Sequence, residues 1–281
     1  MERFQDLSHL QKVVDAFKES HENLVNNMTS TKKELARVIS EGRLFYQIYP
    51  HTLLVFRDEL DFYQLMLFTD GTIENIALPS DKPCSSLVSN ALRKGNAKER
   101  LMKKLESMNF KLEGNYSAYK TDMAEAYPVA KAIVDDMKEE IKNNGYEILP
   151  FQEKYIDEIH RLWSMYLKRY HILKEQWNFE FEKDFVLLLF DMKSATPKLA
   201  ATAYLFKKDA SYLASGLAVA SEYRHDMLGI YLNALQMCSA YEAGISSAYA
   251  WKLDGNDRAI KTGEIFGTKR LPLESLQYYS G

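Results

Sequence analysis

The sequence predicts an α+β protein, and three observations carry that prediction. Short apolar runs of strand character are interleaved with amphipathic helical patterns along the chain. Residues 211–229 read as a strand that feeds a polar turn and opens a helix. After that helix the order is strand, asparagine-bearing turn, short helix, glycine, strand. The chain has 281 residues, 46% hydrophobic and 27% charged, which suits one large domain or two small ones with real cores.

Residues 1–28 place Leu10, Val13, Val14, Phe17, Leu24 and Val25 on one helical face and predict a single helix. Thr29, Ser30 and Thr31 offer caps for a second helix. Its apolar stripe is Leu35, Val38 and Ile39, Glu34 completes a capping box with Thr31, and Gly42 stops it. Runs at 44–48, 53–56 and 62–68 predict strands, separated by polar turns. From 72 to 94 no element is assigned, since Pro79 and Pro83 bracket a polar turn. Leu101, Met102 and Leu105 predict a helix over 98–108, followed by Asn109, Phe110 and a strand over 111–119. Residues 122–144 predict a helix joining the two halves, with Ala130, Ile133, Val134, Met137 and Ile141 on one face and Gly145 after its end.

The second half starts with a strand at 146–150 and a helix at 155–170, whose inner face is Ile156, Ile159, Leu162, Trp163, Tyr166 and Leu167. Residues 171–184 hold Trp177, Phe179 and Phe181 among charges and read as a helix–loop segment that packs its aromatics. Strands at 185–190 and 198–207 form a hairpin around residues 193–197. The strand 212–219 then meets a turn at 221–226 and a helix bearing Leu228, Tyr231, Leu232, Leu235 and Cys238, ended by Gly244. A strand feeding a helix start leaves backbone N–H groups unpaired at the positive end of the helix dipole, which suits an anion. A strand at 245–253, a turn at 254–257, a helix at 258–266, Gly267 and a strand at 271–279 complete the chain.

From the turn onward the chain resembles the GNAT superfamily of N-acyltransferases. That family reads Tyr-Arg-Gly-x-Gly-x-Gly at the turn and Asn-x-x-Ala-x-x-x-Tyr-x-x-x-Gly-Phe later. Tyr223, Arg224, Gly229 and Leu232 are in step with the first pattern, and Asn256, Ala259, Ile260 and Gly267 with the second. Met227 stands where the family has its middle glycine, and His225 replaces another. Gly263 stands where many members carry a tyrosine that protonates the leaving thiolate.

The resemblance implies a mixed, mostly antiparallel sheet flanked by helices, in two such domains. It implies acetyl-CoA or another acyl-CoA as co-substrate, its acyl group passing to an amine of a small molecule or peptide by direct attack. The strand around Leu217 and Val219 would hold the pantetheine arm. Backbone groups of Arg224, His225, Met227, Leu228, Gly229 and Ile230 would hold the pyrophosphate, the Arg224 side chain would add charge, and Asn256 would orient the arm. Glu264 and Tyr249 are the candidates for acid–base work, Glu264 because it adjoins the missing tyrosine. Residues 98–119 resemble the end of such a domain. Residues 1–121 are therefore expected to be a degenerate copy that binds no acyl-CoA, 122–144 a connecting helix, and 145–281 the acyl-CoA-binding domain. Two alternatives stay open: a non-catalytic binding module of the same fold, and an aminoacyl or peptidyl transferase fed by aminoacyl-tRNA.

Net charge is −3, with no broad pull toward nucleic acid, so no DNA partner is expected. Cys84 and Cys238 make no disulfide framework, and Cys238 falls on an apolar helix face as a buried thiol. The histidines, His9, His21, His51, His160, His171 and His225, are scattered, and no metal site is expected. No Gly-x-Ser-x-Gly, Walker loop or dinucleotide fingerprint appears. No apolar run reaches about 18 residues and no leader pattern opens the chain, so no membrane association and a cytoplasmic location are expected. A homodimer is compatible with the sequence, which sets no oligomeric state.

Overall fold

The computed structural model describes residues 1–28, 30–59, 62–89, 96–166, 185–208, 211–224 and 226–280. They form two compact units, one of Met1–Tyr116 with Leu273–Gly281, the other of Ser117–Pro272.

The first unit begins β1 (Glu2–Arg3), α1 (Leu7–Glu19), β2 (Val25–Asn26) and α2 (Lys32–Ser40). The single helix expected over 1–28 is thus a strand, a helix and a strand. Asp6 caps α1 by accepting the His9 N–H at 2.7 Å. Ser20 closes it, its hydroxyl donating to the Ala16 and Phe17 carbonyls. Beyond that point the chain is claimed by the sheet. Val25 pairs with Thr69, and buried Asn27 donates to the Ser86 hydroxyl and Leu87 carbonyl while accepting the Leu67 N–H, all at 2.8 Å. Those bonds satisfy the amide in an interior where an unpaired one would be costly, and they override the helical spacing of Leu24 and Val25. The capping box of α2 forms as expected between Thr31 and Glu34.

The unit continues with β3 (Leu44–Ile48), β4 (Thr52–Asp58), β5 (Tyr63–Thr69), β6 (Cys84–Ser89), α3 (Ala97–Ser107) and β7 (Lys111–Asp122), which crosses the boundary at Tyr116. β6 lies in the stretch left unassigned by the sequence. The sheet order is β1-β3-β4-β5-β6-β13, where β13 (Lys269–Ser280) is the last strand of the chain. β3, β4 and β5 are antiparallel, β5 and β6 parallel, and β13 runs antiparallel to β6 from Ser275↔Ser89 to Ser280↔Cys84. β4 is apolar throughout because both its faces are covered. Leu53 and Val55 pack with α1 and α2, and Leu54 and Phe56 with Leu101 and Leu105 of α3.

The second unit contains α4 (Met123–Asn143), β8 (Tyr146–Leu149), α5 (Ile156–Tyr166), β9 (Phe185–Asp191), β10 (Lys198–Lys208), β11 (Ser211–Val219), α6 (Leu228–Glu242), β12 (Ser247–Leu253) and α7 (Asp257–Ile265). Its sheet order is β7-β12-β11-β10-β9-β8. β8 to β11 are antiparallel and β11 with β12 parallel, so the sheet is mixed and mostly antiparallel, as expected. α4 packs Met123, Ala126 and Ala130 against Ala234, Met237, Cys238 and Ala240, which makes it a core helix of this unit. The opposite face is covered by Ile159, Leu162 and Trp163 of α5. The helix expected over 155–170 starts as a 3-10 turn at Glu153–Tyr155, and its residues 167–170 lie outside the described residues, as does the segment 171–184 with Trp177, Phe179 and Phe181. Cys238 is a buried thiol, and burial raises its pKa. Among the described residues, no helix is long and apolar enough to cross a membrane.

Candidate functional site

β11 carries the candidate site because its two edges behave differently. On one edge it pairs with β10 along its length, with an irregularity where Thr202 faces Ala218 but Tyr204 faces Ser215. One residue, Ala203, then opposes two, Gly216 and Leu217, which is a bulge, and a bulge bends its strand. On the other edge β11 meets β12 in register only at Tyr212↔Ala248 and Leu213↔Tyr249 among the described residues. Past that point no further pair joins the two strands among the described residues, so a stretch of the facing edges is left for another partner. An extended ligand can pair there by adding hydrogen bonds along a free strand edge.

Beyond β11 a 3-10 turn (Ser221–Tyr223) leads to α6, whose N-cap is Met227. Met227 has φ 54° and ψ 15°, a left-handed conformation that glycine adopts without cost and other residues seldom do. The turn therefore keeps a glycine-like backbone although a methionine occupies it, and the side chain points outward, 54% exposed. The Met227 carbonyl accepts Ile230 and Tyr231 N–H groups, while the amides of Leu228 and Gly229 have no acceptor among the described residues. Gly229 faces Val219: a Cβ there would come within 3.3 Å of Val219 Cγ2. Arg224 is exposed beside the turn, its Nε 3.5 Å from the Val219 carbonyl. His225 lies outside the described residues. Asp226, an anion next to these amides, is engaged by the Tyr146 hydroxyl, and burial with that contact raises the tyrosine's pKa.

The strand after α6 supplies the other wall. Leu217 of β11 and Trp251 and Leu253 of β12 are unusually exposed for large apolar side chains. Tyr249 is half-buried. Asn256 caps α7, its side-chain oxygen accepting the Ala259 N–H at 3.2 Å, and its own exposure leaves it at the surface. Glu264 is exposed on α7, while its neighbour Gly263 is buried against the sheet.

Lys252 is the residue that sequence reasoning missed. Its Nζ donates to the Ala259 carbonyl at 2.8 Å, lies 4.7 Å from the centre of the Tyr119 ring, and fills the space that Gly263 leaves. A Cβ at 263 would collide with it. Burial lowers the Lys252 pKa to about 8, and the Glu264 charge opposes that shift. The only signal in the sequence was a lysine interrupting the apolar run 245–253. Between about pH 8 and the ordinary lysine value of 10.5, the unfolded chain holds a proton that the folded chain has released. Stability therefore rises with pH across that window. Urea midpoints at pH 7.5 and 10 should show a gain for wild type that Lys252→Met lacks.

A cavity of about 240 Å³, lined by Tyr212, Ile245, Ser246, Ser247 and Tyr249 among others, opens at the starts of β11 and β12. It is at the opposite end of the strands from the turn, so it is distinct from the amide-lined end.

The fold assembled from these elements is that of the GCN5-related N-acetyltransferases. The chain is similar to a GCN5-related N-acetyltransferase from Sphaerobacter thermophilus at 9% identity, covering 90% of this chain and 86% of that one, with a TM-score of 0.55. It is similar to a GCN5-related N-acetyltransferase-like protein from Streptococcus suis at 12% identity, covering 98% and 99%, with a TM-score of 0.51. A GCN5-related N-acetyltransferase from Kribbella flavida gives 12% identity, coverage of 90% and 96%, and a TM-score of 0.51. No family model and no curated relative matches the sequence.

Proposed function

We propose that the chain transfers an acyl group from an acyl-CoA to an amine. The observation that carries this reading is the end of the β11–β12 pairing, among the described residues, beside the free amides of α6. The edge left there suits a pantetheine arm, and Leu228 and Gly229 offer N–H groups to a pyrophosphate. Arg224 adds positive charge there. Direct attack needs no covalent enzyme: the amine loses a proton, attacks the thioester carbonyl and expels a thiolate, with the protein aligning the two. Tyr249 and Glu264 remain the candidates for proton transfer, and Asn256 for orienting the arm.

We read the two units as two copies of one fold. Each runs through four antiparallel strands, a parallel fifth and a helix. They differ at the parallel pair. In the second unit α6 stands between the parallel strands, whereas in the first β5 and β6 are joined by residues 70–83 without a helix. With no helix start there are no free amides of this kind, in keeping with a first copy that binds no acyl-CoA.

The test is thermal unfolding with acetyl-CoA and with free CoA. A ligand at 100 times its dissociation constant stabilises by about 2.7 kcal/mol, a shift of a few degrees. A shift with both ligands is expected. No shift at millimolar ligand overturns the reading and favours a binding module of the same fold.

A further inference from the structure

Three side chains from separate loops of the first unit converge at its surface. His21 follows α1, His51 lies in the turn between β3 and β4, and Asp70 follows β5. One ligand atom of each lies within 4.8 Å of the other two. His51 Nδ1 is 2.8 Å from Asp70 Oδ2. His21 Nδ1 is 2.9 Å from the Phe17 carbonyl oxygen, and Nε2 is 2.6 Å from that of Pro50.

We propose that His21, His51 and Asp70 bind a divalent transition ion of the zinc type. Two imidazoles and one carboxylate are a borderline donor set, suited to zinc rather than to calcium or magnesium, with water completing four-coordination. Bonds of about 2.0–2.1 Å in a tetrahedron set ligand atoms roughly 3.3 Å apart, a spacing between the 2.8 Å of His51 and Asp70 and the 4.8 Å within which all three donors lie. The outer contacts orient the donors. The His21 Nδ1–H donated to Phe17 fixes the ring, and Nε2 exchanges its contact with the Pro50 carbonyl for the ion. Asp70 Oδ1 accepts the Thr72 N–H at 2.8 Å, and Oδ2, now against His51 Nδ1, is the oxygen that an ion inserted between the two would take.

Nearby cations are already committed. The Lys104 ammonium contacts Glu74 at 3.2 Å, and Arg100 donates to the backbone carbonyl of Asp70 rather than to its carboxylate. Without an ion, both His21 nitrogens face carbonyl oxygens, and Nδ1 also lies 3.0 Å from the Ser20 hydroxyl. Binding releases the Nε2 proton to solvent. The His51 side chain is 43% exposed, so an ion reaches the site directly.

The full chain, freed of metal with EDTA, is titrated with zinc chloride by calorimetry and with cobalt(II) by visible spectroscopy. One zinc per chain is expected, with affinity falling roughly tenfold or more in His51→Ala and in Asp70→Asn. Imidazole nitrogen spectra of the wild type need no variant, and should shift at His21 and His51 on adding zinc. No binding at micromolar zinc overturns the site. So does binding that both substitutions leave intact, or shifts confined to other histidines.

Discussion

Gly229→Val is expected to abolish coenzyme A binding. A Cβ at 229 already meets Val219 Cγ2 at 3.3 Å, and the two γ-methyls of valine add bulk beside the first turn of α6. They would cover the amides of Leu228 and Gly229, the donors left without acceptors. Hydrogen bonds to a charged group contribute about 1.5–3 kcal/mol each, so losing two weakens binding by more than ~100-fold. Arg224→Ala removes an exposed charge and its contact with the Val219 carbonyl, and about fivefold is expected. Calorimetric titration of CoA into both variants checks the pair. Unchanged affinity in Gly229→Val would place the phosphates elsewhere. Met227→Gly is the matching control: it relieves the left-handed strain without adding atoms, and CoA affinity should hold or improve.

Glu74→Gln is expected to be the most destabilising isosteric change in the first unit. Lys104 is fully buried on α3, its ammonium held by the Thr72 carbonyl at 2.7 Å and by Glu74 at 3.2 Å. Glutamine keeps the shape, and its one carbonyl oxygen can still accept from Thr52 and Lys104, while its NH2 replaces the oxygen that accepts the His51 N–H, so the change removes the charge and that one bond. Removing one partner of a buried pair leaves an uncompensated ion and costs about 3–5 kcal/mol. Adding Lys104→Met removes that ion, and the double variant should recover most of the loss. Urea unfolding in EDTA reads both. Equal destabilisation in the single and double variants would show that the pair's charge is not what stabilises the unit.

Much of the fold was legible because its signals are local. The Thr31–Glu34 capping box, the hairpin around residues 193–197 and the strand–turn–helix from 211 to 244 each rest on residues a few positions apart. The helix expected over 1–28 failed for the opposite reason. Leu24 and Val25 are spaced for a helix, but Asn27 bonds with residues some forty to sixty positions away. The candidate turn was recognisable from Tyr223, Arg224 and Gly229, whereas its shape was not. That Met227 takes the backbone form of a glycine depends on how β11 and α6 are held.

By itself, the sequence determined an α+β chain, the positions of most helices and strands, and the turn where a helix start meets a strand end. Hydrophobic period, caps and breakers are properties of neighbouring residues, and they survive in any one chain read alone. The tertiary structure alone decided that β13 completes the sheet of the first unit, that β11 and β12 pair at Tyr212↔Ala248 and Leu213↔Tyr249, that Lys252 occupies the space at Gly263, and that His21, His51 and Asp70 meet. Each of these is set by strand register and by contacts between distant segments. Such contacts depend on which surfaces pack together, and no local pattern encodes that.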